Sequence, residues 1–341
     1  MQPTGYLDTA SIGLVPAAVG AAVGACYEAM GRGTRGSREW RPVVERAHQA
    51  YAAEFGVAEG EVAFMPSTAD AIEAIAHAVP WCEGDEVLVL RDEFPTVVLP
   101  WRALGEAVRV VEVDALAGDD RLGALLAGIG PRTRVVAVSH VSSFTGTLVD
   151  IGTLGAACRR AGALLVVDGA QAAGVVTVGL DDVDFYIATG YKWLLGGFGL
   201  AVVAGKRAAL ASLRPSPLWG DRPPTPRLSI GHSNLPGMYA LEAAATYRRS
   251  VGHEEIRARV ADLARRLWEG AAELGHAPAA RPERMAGIVS LGGLRDLPGA
   301  VARLSSAGLS VAARGGYLRM SPYFYTTDTD VDHLLTELKN L

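Results

Sequence analysis

Lys192 is one of three lysines in a chain of 341 residues; the others are Lys206 and Lys339, although lysine and arginine together number 32. Arginine can take over nearly every surface role of lysine, but it stays protonated. A lysine amine can lose its proton and attack a carbonyl. In a chain so poor in lysine, one set in Thr189-Gly190-Tyr191-Lys192-Trp193, directly after an apolar run, is a candidate for covalent work. A second candidate lies upstream. Asp168 closes the apolar run ending in Val166-Val167 and opens Asp168-Gly169-Ala170-Gln171. A carboxylate in such a place can bind a metal, bind a ribose, or hold a protonated ring nitrogen.

These residues need elements to position them. Runs of strand length are read at Val62–Met65, Glu86–Leu90, Val108–Val113, Arg134–Ser139, Ala163–Val167, Phe185–Ala188 and Leu200–Ala204. Helix-like segments between them are Ala69–Ala78, Val97–Leu104, Arg121–Ala127 and Ile151–Ala161. Near-continuous apolar strands separated by helices predict an α/β fold, with a mainly parallel sheet covered on both faces. Ligands collect at the carboxyl ends of such strands, where Asp168 and Lys192 both fall. Beyond Ala204 the pattern changes. Residues 213–236 are proline-rich and aperiodic, a helical stretch runs from Met238 to about Leu274, and short strands at Ile288–Leu291, Ser310–Ala313 and Tyr317–Ser321 precede a helix from Asp328. That tail reads as a smaller α+β unit.

Bulk properties exclude several classes. A net charge of −5, without a basic patch, argues against nucleic acid and acidic membrane as partners. Apolar stretches are broken well short of a membrane span, and the residues after Met1 do not resemble a signal peptide. Three scattered cysteines fit reduced thiols and a cytoplasmic location, and the seven histidines contain no His-x-x-x-His, so no metal is expected. Gly-x-x-x-x-Gly-Lys-Ser/Thr and Gly-x-Ser-x-Gly are both absent, against a P-loop nucleotide module and a serine hydrolase.

An aspartate at one strand end and a lysine at the next is a recognised arrangement for pyridoxal phosphate. The lysine forms a Schiff base and the aspartate keeps the ring nitrogen protonated. From Tyr6-Leu-Asp-Thr-Ala to the last helix, the chain resembles the class V aminotransferase family of pyridoxal-phosphate fold type I. That group includes cysteine desulfurases, selenocysteine lyases, kynureninases and isopenicillin N epimerases. The resemblance implies a large cofactor-binding unit, residues 15–240, and a small α+β unit made of 1–14 with 241–341.

It also implies roles. Ser67 or Thr68, in Met65-Pro66-Ser67-Thr68-Ala69, would grip the cofactor phosphate; on its own terms Ser67 is an ordinary helix cap. Phe94, in Asp92-Glu93-Phe94-Pro95-Thr96, would stack on the ring. Ser143, where many relatives carry asparagine, and Gln171 would face the ring hydroxyl oxygen. Thr189 and Tyr191 would donate to the phosphate. His232 or Ser233 would cross a homodimer interface to the partner's phosphate, making shared active sites. Arg319, in Tyr317-Leu318-Arg319-Met320, would hold the α-carboxylate of an amino acid substrate.

One departure narrows the chemistry. Desulfurases of this family carry a cysteine on a loop before the tail arginine, but here Ala313-Arg314-Gly315-Gly316 runs almost straight into Tyr317, and no cysteine follows Cys158. The expected reaction is therefore β-elimination of the C–S lyase type, begun when Lys192 removes the α-proton. Transamination and epimerisation are the alternatives. A degenerate family member kept as a partner protein is the non-enzyme alternative.

Overall fold

A computed structural model of the chain describes residues 4–116, 119–214, 228 and 234–341. Seven strands form the central sheet: β1 (Val62–Met65), β2 (Glu86–Leu90), β3 (Arg109–Val113), β4 (Thr133–Ser139), β5 (Leu164–Asp168), β6 (Phe185–Thr189) and β7 (Ala201–Gly205). Their order is β1-β7-β6-β5-β4-β2-β3. From β3 to β6 every neighbouring pair is parallel, while β7 runs antiparallel to both β6 and β1.

The apolar runs follow from burial on both faces. Leu88, Leu90, Val136, Val138, Leu165 and Val167 belong to one core cluster. Val87, Val89, Val135, Ala137 and Val166 belong to another. Alternate residues of one strand thus enter opposite layers, so no position can be polar until the strand ends. Each such side chain removed from water contributes roughly 1.5–3 kcal/mol.

Helices α1 (Ala17–Gly31), α2 (Ser37–Phe55), α3 (Thr68–Ala78), α4 (Pro95–Arg102), α5 (Arg121–Gly128), α6 (Ile151–Ala161), α7 (Arg207–Ser212) and α8 (Leu235–Val251) accompany this sheet. Their ends are set locally. The Asp150 side chain accepts the Thr153 N–H at the start of α6, and left-handed Gly162 (φ 72°) ends it. α1 and α2 were not singled out in the sequence. α1 is apolar nearly all round and shows no stripe to read.

A second, antiparallel sheet has the order β10-β11-β9-β8, built from β8 (Ala277–Pro278), β9 (Val289–Gly292), β10 (Ala312–Arg314) and β11 (Tyr317–Met320). Helices α9 (His253–Glu273), α10 (Leu297–Ser306) and α11 (Asp328–Leu338) supply its core through Leu263, Leu267, Leu304, Val331 and Leu334. The N-terminal segment joins it: the Leu7 N–H donates to the Ser310 carbonyl (3.0 Å) and the Ser321 N–H to the Leu7 carbonyl (2.7 Å). The division expected at residue 240 falls inside α8. Met238, Leu241 and Ala245 of that helix are packed in the large sheet's core, so the helix runs on to Val251, and Gly252 (φ 102°) makes the break before α9. Most of 213–236, with His232 and Ser233, lies outside the described residues.

Candidate active site

Asp168 and Thr189 stand at the carboxyl ends of neighbouring parallel strands β5 and β6. Lys192 follows in the short connection from β6 to β7. So short a connection cannot cross over the sheet, which is why β7 returns antiparallel. The turn is tightly held. Gly190 donates to the Leu200 carbonyl (2.9 Å), Gly196 donates to the Gly190 carbonyl (2.7 Å), and buried Leu195 takes a left-handed φ of 60°. The N-terminal segment closes on it from outside. The Gly13 N–H donates to the Tyr191 carbonyl (2.9 Å), and a Cβ on Gly13 would lie 2.0 Å from the Lys192 carbonyl oxygen.

The cavity beside Lys192 is lined by Thr68, Phe94, Ser139, Ser143, Asp168, Gln171, Thr189 and Tyr191, among others. Eight of the residues expected at the site from sequence, Lys192 included, therefore meet in one place. The Lys192 amine lies 5.9 Å from the centre of the Phe94 ring and 5.6 Å from that of Tyr191. Burial pushes its pKa down from 10.5 to about 8; the attraction of Asp168 opposes this, while the charges of Arg319 and Arg314 assist it. Asp168 is buried too. Desolvation raises its carboxyl, whereas the Ala170 N–H (2.8 Å from Oδ1) and the Lys192 charge pull it down.

Under Asp168 the architecture is rigid. The His140 N–H donates to the Asp168 carbonyl (2.9 Å), and the His140 ring Nδ1 meets the Tyr186 hydroxyl at 3.1 Å. Burial drives the His140 pKa down to about 4, so the ring is neutral at physiological pH. Gly169 has to be glycine: a Cβ there would fall 2.3 Å from the Tyr186 ring.

Ser67 lies one residue before Thr68, outside the cavity lining, and caps α3 by accepting the Asp70 N–H at 3.1 Å. Gln171 is partly committed: its Oε1 accepts the Trp193 indole N–H (2.8 Å) and its Nε2 donates to the Ala10 carbonyl (3.0 Å). One amide hydrogen remains for a ligand. Arg319 is buried on β11, with Nη1 donating to the Ser143 carbonyl (3.1 Å) and Nη2 to Ser11 Oγ (2.7 Å) and Asp8 Oδ1 (3.2 Å). It is not among the residues facing the cavity beside Lys192.

Sequence reasoning missed four participants. Asp8 and Ser11 hold Arg319. Glu93, buried and with its carboxyl raised by desolvation, accepts the Ser139 N–H (2.9 Å) and the Ser139 hydroxyl (2.6 Å), tying the Phe94 turn to the end of β4. Asp8 and Glu93 lie inside quoted motifs, but a carboxylate spent on a neighbour carries no spacing signal.

Among the buried side-chain polar atoms of the described residues that lack a hydrogen-bond partner, two belong to residues expected at the site: the Ser143 hydroxyl and Arg319 Nε. An orphaned buried group is costly, and trading it for a ligand contact would recover part of that cost. A ligand with acceptor oxygens would satisfy them. The donor set also suits a phosphorylated pyridine aldehyde, because it offers an amine, a carboxylate beside it, and a hydroxyl-rich helix start.

The model of the family described as aminotransferase class-V matches residues 5–334. The chain belongs to that family. It is a pyridoxal-phosphate-dependent enzyme of fold type I. Among relatives in sequence, isopenicillin N epimerase of Amycolatopsis lactamdurans is 30% identical, over 89% of this chain and 86% of that protein. A cysteine desulfurase of Pectobacterium carotovorum is 31% identical, over 75% and 69%. Among solved structures, the cystine C–S lyase C-DES, in complex with its product cysteine persulfide, superposes with a TM-score of 0.88. It is 22% identical and covers 99% of this chain and 98% of that one. At that identity the likeness is one of fold, and with the family match it accounts for a mostly parallel seven-stranded sheet carrying its lysine after β6.

Proposed function

We propose that this family member is a lyase that eliminates a β-substituent from an α-amino acid, without a persulfide-forming cysteine. The observation that carries this is the hairpin between β10 and β11. Only Gly315 and Gly316 join Arg314 to Tyr317, so there is no loop to deliver a thiol. Cys26 and Cys158 are buried, and exposed Cys82 is not among the residues lining the cavity. Elimination needs no second nucleophile, and the identities of several relatives as desulfurases fit cleavage beyond the α-carbon.

Pyridoxal phosphate supplies an aldehyde and an electron-accepting ring that acidifies the substrate α-carbon. The chain's residues do the rest. The Lys192 amine would be the attachment point, and its lowered pKa raises the neutral fraction near physiological pH, which would serve both to bind the aldehyde and to take the α-proton. Asp168, costly to ionise when buried, regains a charge partner when it faces a protonated ring nitrogen. The first turn of α3, at Ser67 and Thr68, would present free N–H groups to the phosphate, with hydroxyls from Thr189 and Tyr191, which line the same cavity. Ser143 and the spare Gln171 N–H serve the ring oxygen, and Phe94 covers one ring face. Arg319, fixed by Asp8, Ser11 and Ser143, keeps its unpaired Nε–H for the substrate carboxylate.

The same reading makes the enzyme a cytoplasmic homodimer. Tyr27 and Met30 on α1, with Ile12, Val15 and Phe198, are large apolar side chains left exposed. Phe198 is 66% exposed while stacked on Tyr191 at the site (4.4 Å between ring centres), so a second copy seated there would also close the cavity.

The test is the visible spectrum of the holoenzyme mixed with L-amino acids and S-substituted cysteines. Persistence of the lysine-bound cofactor absorption while a 2-oxo acid and ammonia accumulate is the expected result. Loss of that absorption, restored by added 2-oxo acid, would identify a transaminase and refute elimination.

A further inference from the structure

Arg314 ends β10 at the two-glycine turn and is paired across it with Tyr317. Gly315 (φ 56°) and Gly316 (φ 84°) are both left-handed, as a tight two-residue hairpin requires, so the turn has one shape and Arg314 a fixed base. The turn reaches the cavity's neighbourhood through two aromatic rings. A Cβ on Gly315 would meet the Phe144 ring at 2.6 Å, the Phe144 ring lies 6.3 Å from that of Phe94, and Phe94 lies under the Lys192 amine.

The charges near the site do not balance. Lys192, Arg319 and Arg314 are close enough to act on one another: Arg314 disfavours the charged forms of both Lys192 and Arg319. The carboxylates acting on the same groups are Asp8 and Asp168. Asp8 is bonded to Arg319. Asp168 serves Lys192 and, on the reading above, the cofactor. Arg314 is left over. It is exposed, and its Nη1 donates to the carbonyl of neighbouring Ala313 (3.1 Å). Among the described residues it makes no ion pair, whereas many of the chain's other arginines do. Arg314 is thus an unpaired cation beside two functional cations, free to meet an anion from elsewhere.

We propose that Arg314 binds an acidic group on the substrate's own side chain, so that the enzyme selects α-amino acids whose β-substituent ends in a carboxylate, sulfinate or sulfonate. The two arginines then divide the work. Buried Arg319 meets the α-carboxylate, common to all amino acids, while Arg314 at the turn meets the group that differs. This inference rests on the site's being an amino acid site and deepens that reading.

The experiment uses acid and amide of equal shape. Holoenzyme is titrated with L-aspartate against L-asparagine and L-glutamate against L-glutamine, with L-cysteine sulfinate as a fifth ligand, following the cofactor absorption. Binding of the acid about tenfold or more tighter than its amide is expected in at least one pair, the scale of one charge-assisted hydrogen bond. In Arg314→Gln the ratio should fall to within about twofold of one, and Arg314→Lys should restore part of it. Equal affinities for acid and amide in the parent enzyme, or a preference that survives Arg314→Gln, would overturn the assignment and leave the amino acid site standing. A spectrum that no amino acid moves would overturn both.

Discussion

Replacing Lys192 with methionine should make the cofactor-free protein more stable at neutral pH, although it abolishes catalysis. Burial lowers the lysine pKa from 10.5 to about 8. At 1.36 kcal/mol per pH unit, that corresponds to roughly 3 kcal/mol of destabilisation at pH 7. The sign follows from proton binding. Between about 8 and 10.5 the unfolded chain holds the proton and the folded chain does not, so stability rises with pH across that window. Below about 8 the full penalty is present, and above 10.5 it is gone. Methionine matches the lysine's four-atom apolar stem and carries no charge to desolvate, so the variant should gain up to about 3 kcal/mol at pH 7 and little at pH 10.5. Loss of the attraction to Asp168 works in the other direction, because that carboxyl is buried. The gain is therefore an upper bound. The assay is urea denaturation of the apoenzyme of both proteins across pH 7 to 10.5. A variant less stable than the parent at pH 7, or a difference that does not shrink as pH rises, would refute the account of Lys192 as a desolvated amine held ready for an aldehyde.

Asp168→Asn keeps the shape of the strand end but cannot hold a protonated ring nitrogen. Turnover should fall by two to three orders of magnitude, about the effect of deleting one well-placed electrostatic group, while the lysine-bound absorption survives. Steady-state rates and a spectrum of one preparation check both halves. Arg248→Ala should cost about 3–5 kcal/mol, because fully buried Arg248 meets Glu54 through two bonds of 2.6 and 2.7 Å and joins α8 to α2. Glu54→Gln combined with Arg248→Met should recover much of that loss in urea denaturation, since no buried charge is then left alone.

Much of the site was legible because its residues lie at the ends of apolar runs. The runs of β5 and β6 mark their own ends where polarity returns, and two adjacent parallel strands put Asp168 and the Lys192 turn side by side. The same logic gave β1 and β2 with the bounds the structure shows. His232 and Ser233 lie outside the described residues. The setting of Arg319 was not legible: Asp8 and Ser11 reach it across 311 and 308 residues. No local pattern marks which of many arginines such a segment will meet. Gln171 showed the converse, since its type promised a ligand contact while Trp193 and Ala10 had already taken part of it.

The sequence by itself determined the layered α/β architecture, the ends of the central strands to within a residue and the lysine–aspartate pair, because burial on two faces disfavours polar residues inside the central strands. Tertiary structure alone decided three things. It set the reversal of β7, which follows from the short lysine turn. It set the continuation of α8 past residue 240, where Met238, Leu241 and Ala245 stay in the large core. It also set the charge balance near the site, with Asp8 spent on Arg319 and Arg314 unpaired. Hydrophobic patterning is a property of neighbours along the chain and can be read there. Pairing of charges depends on which distant segments meet, and only folding settles that.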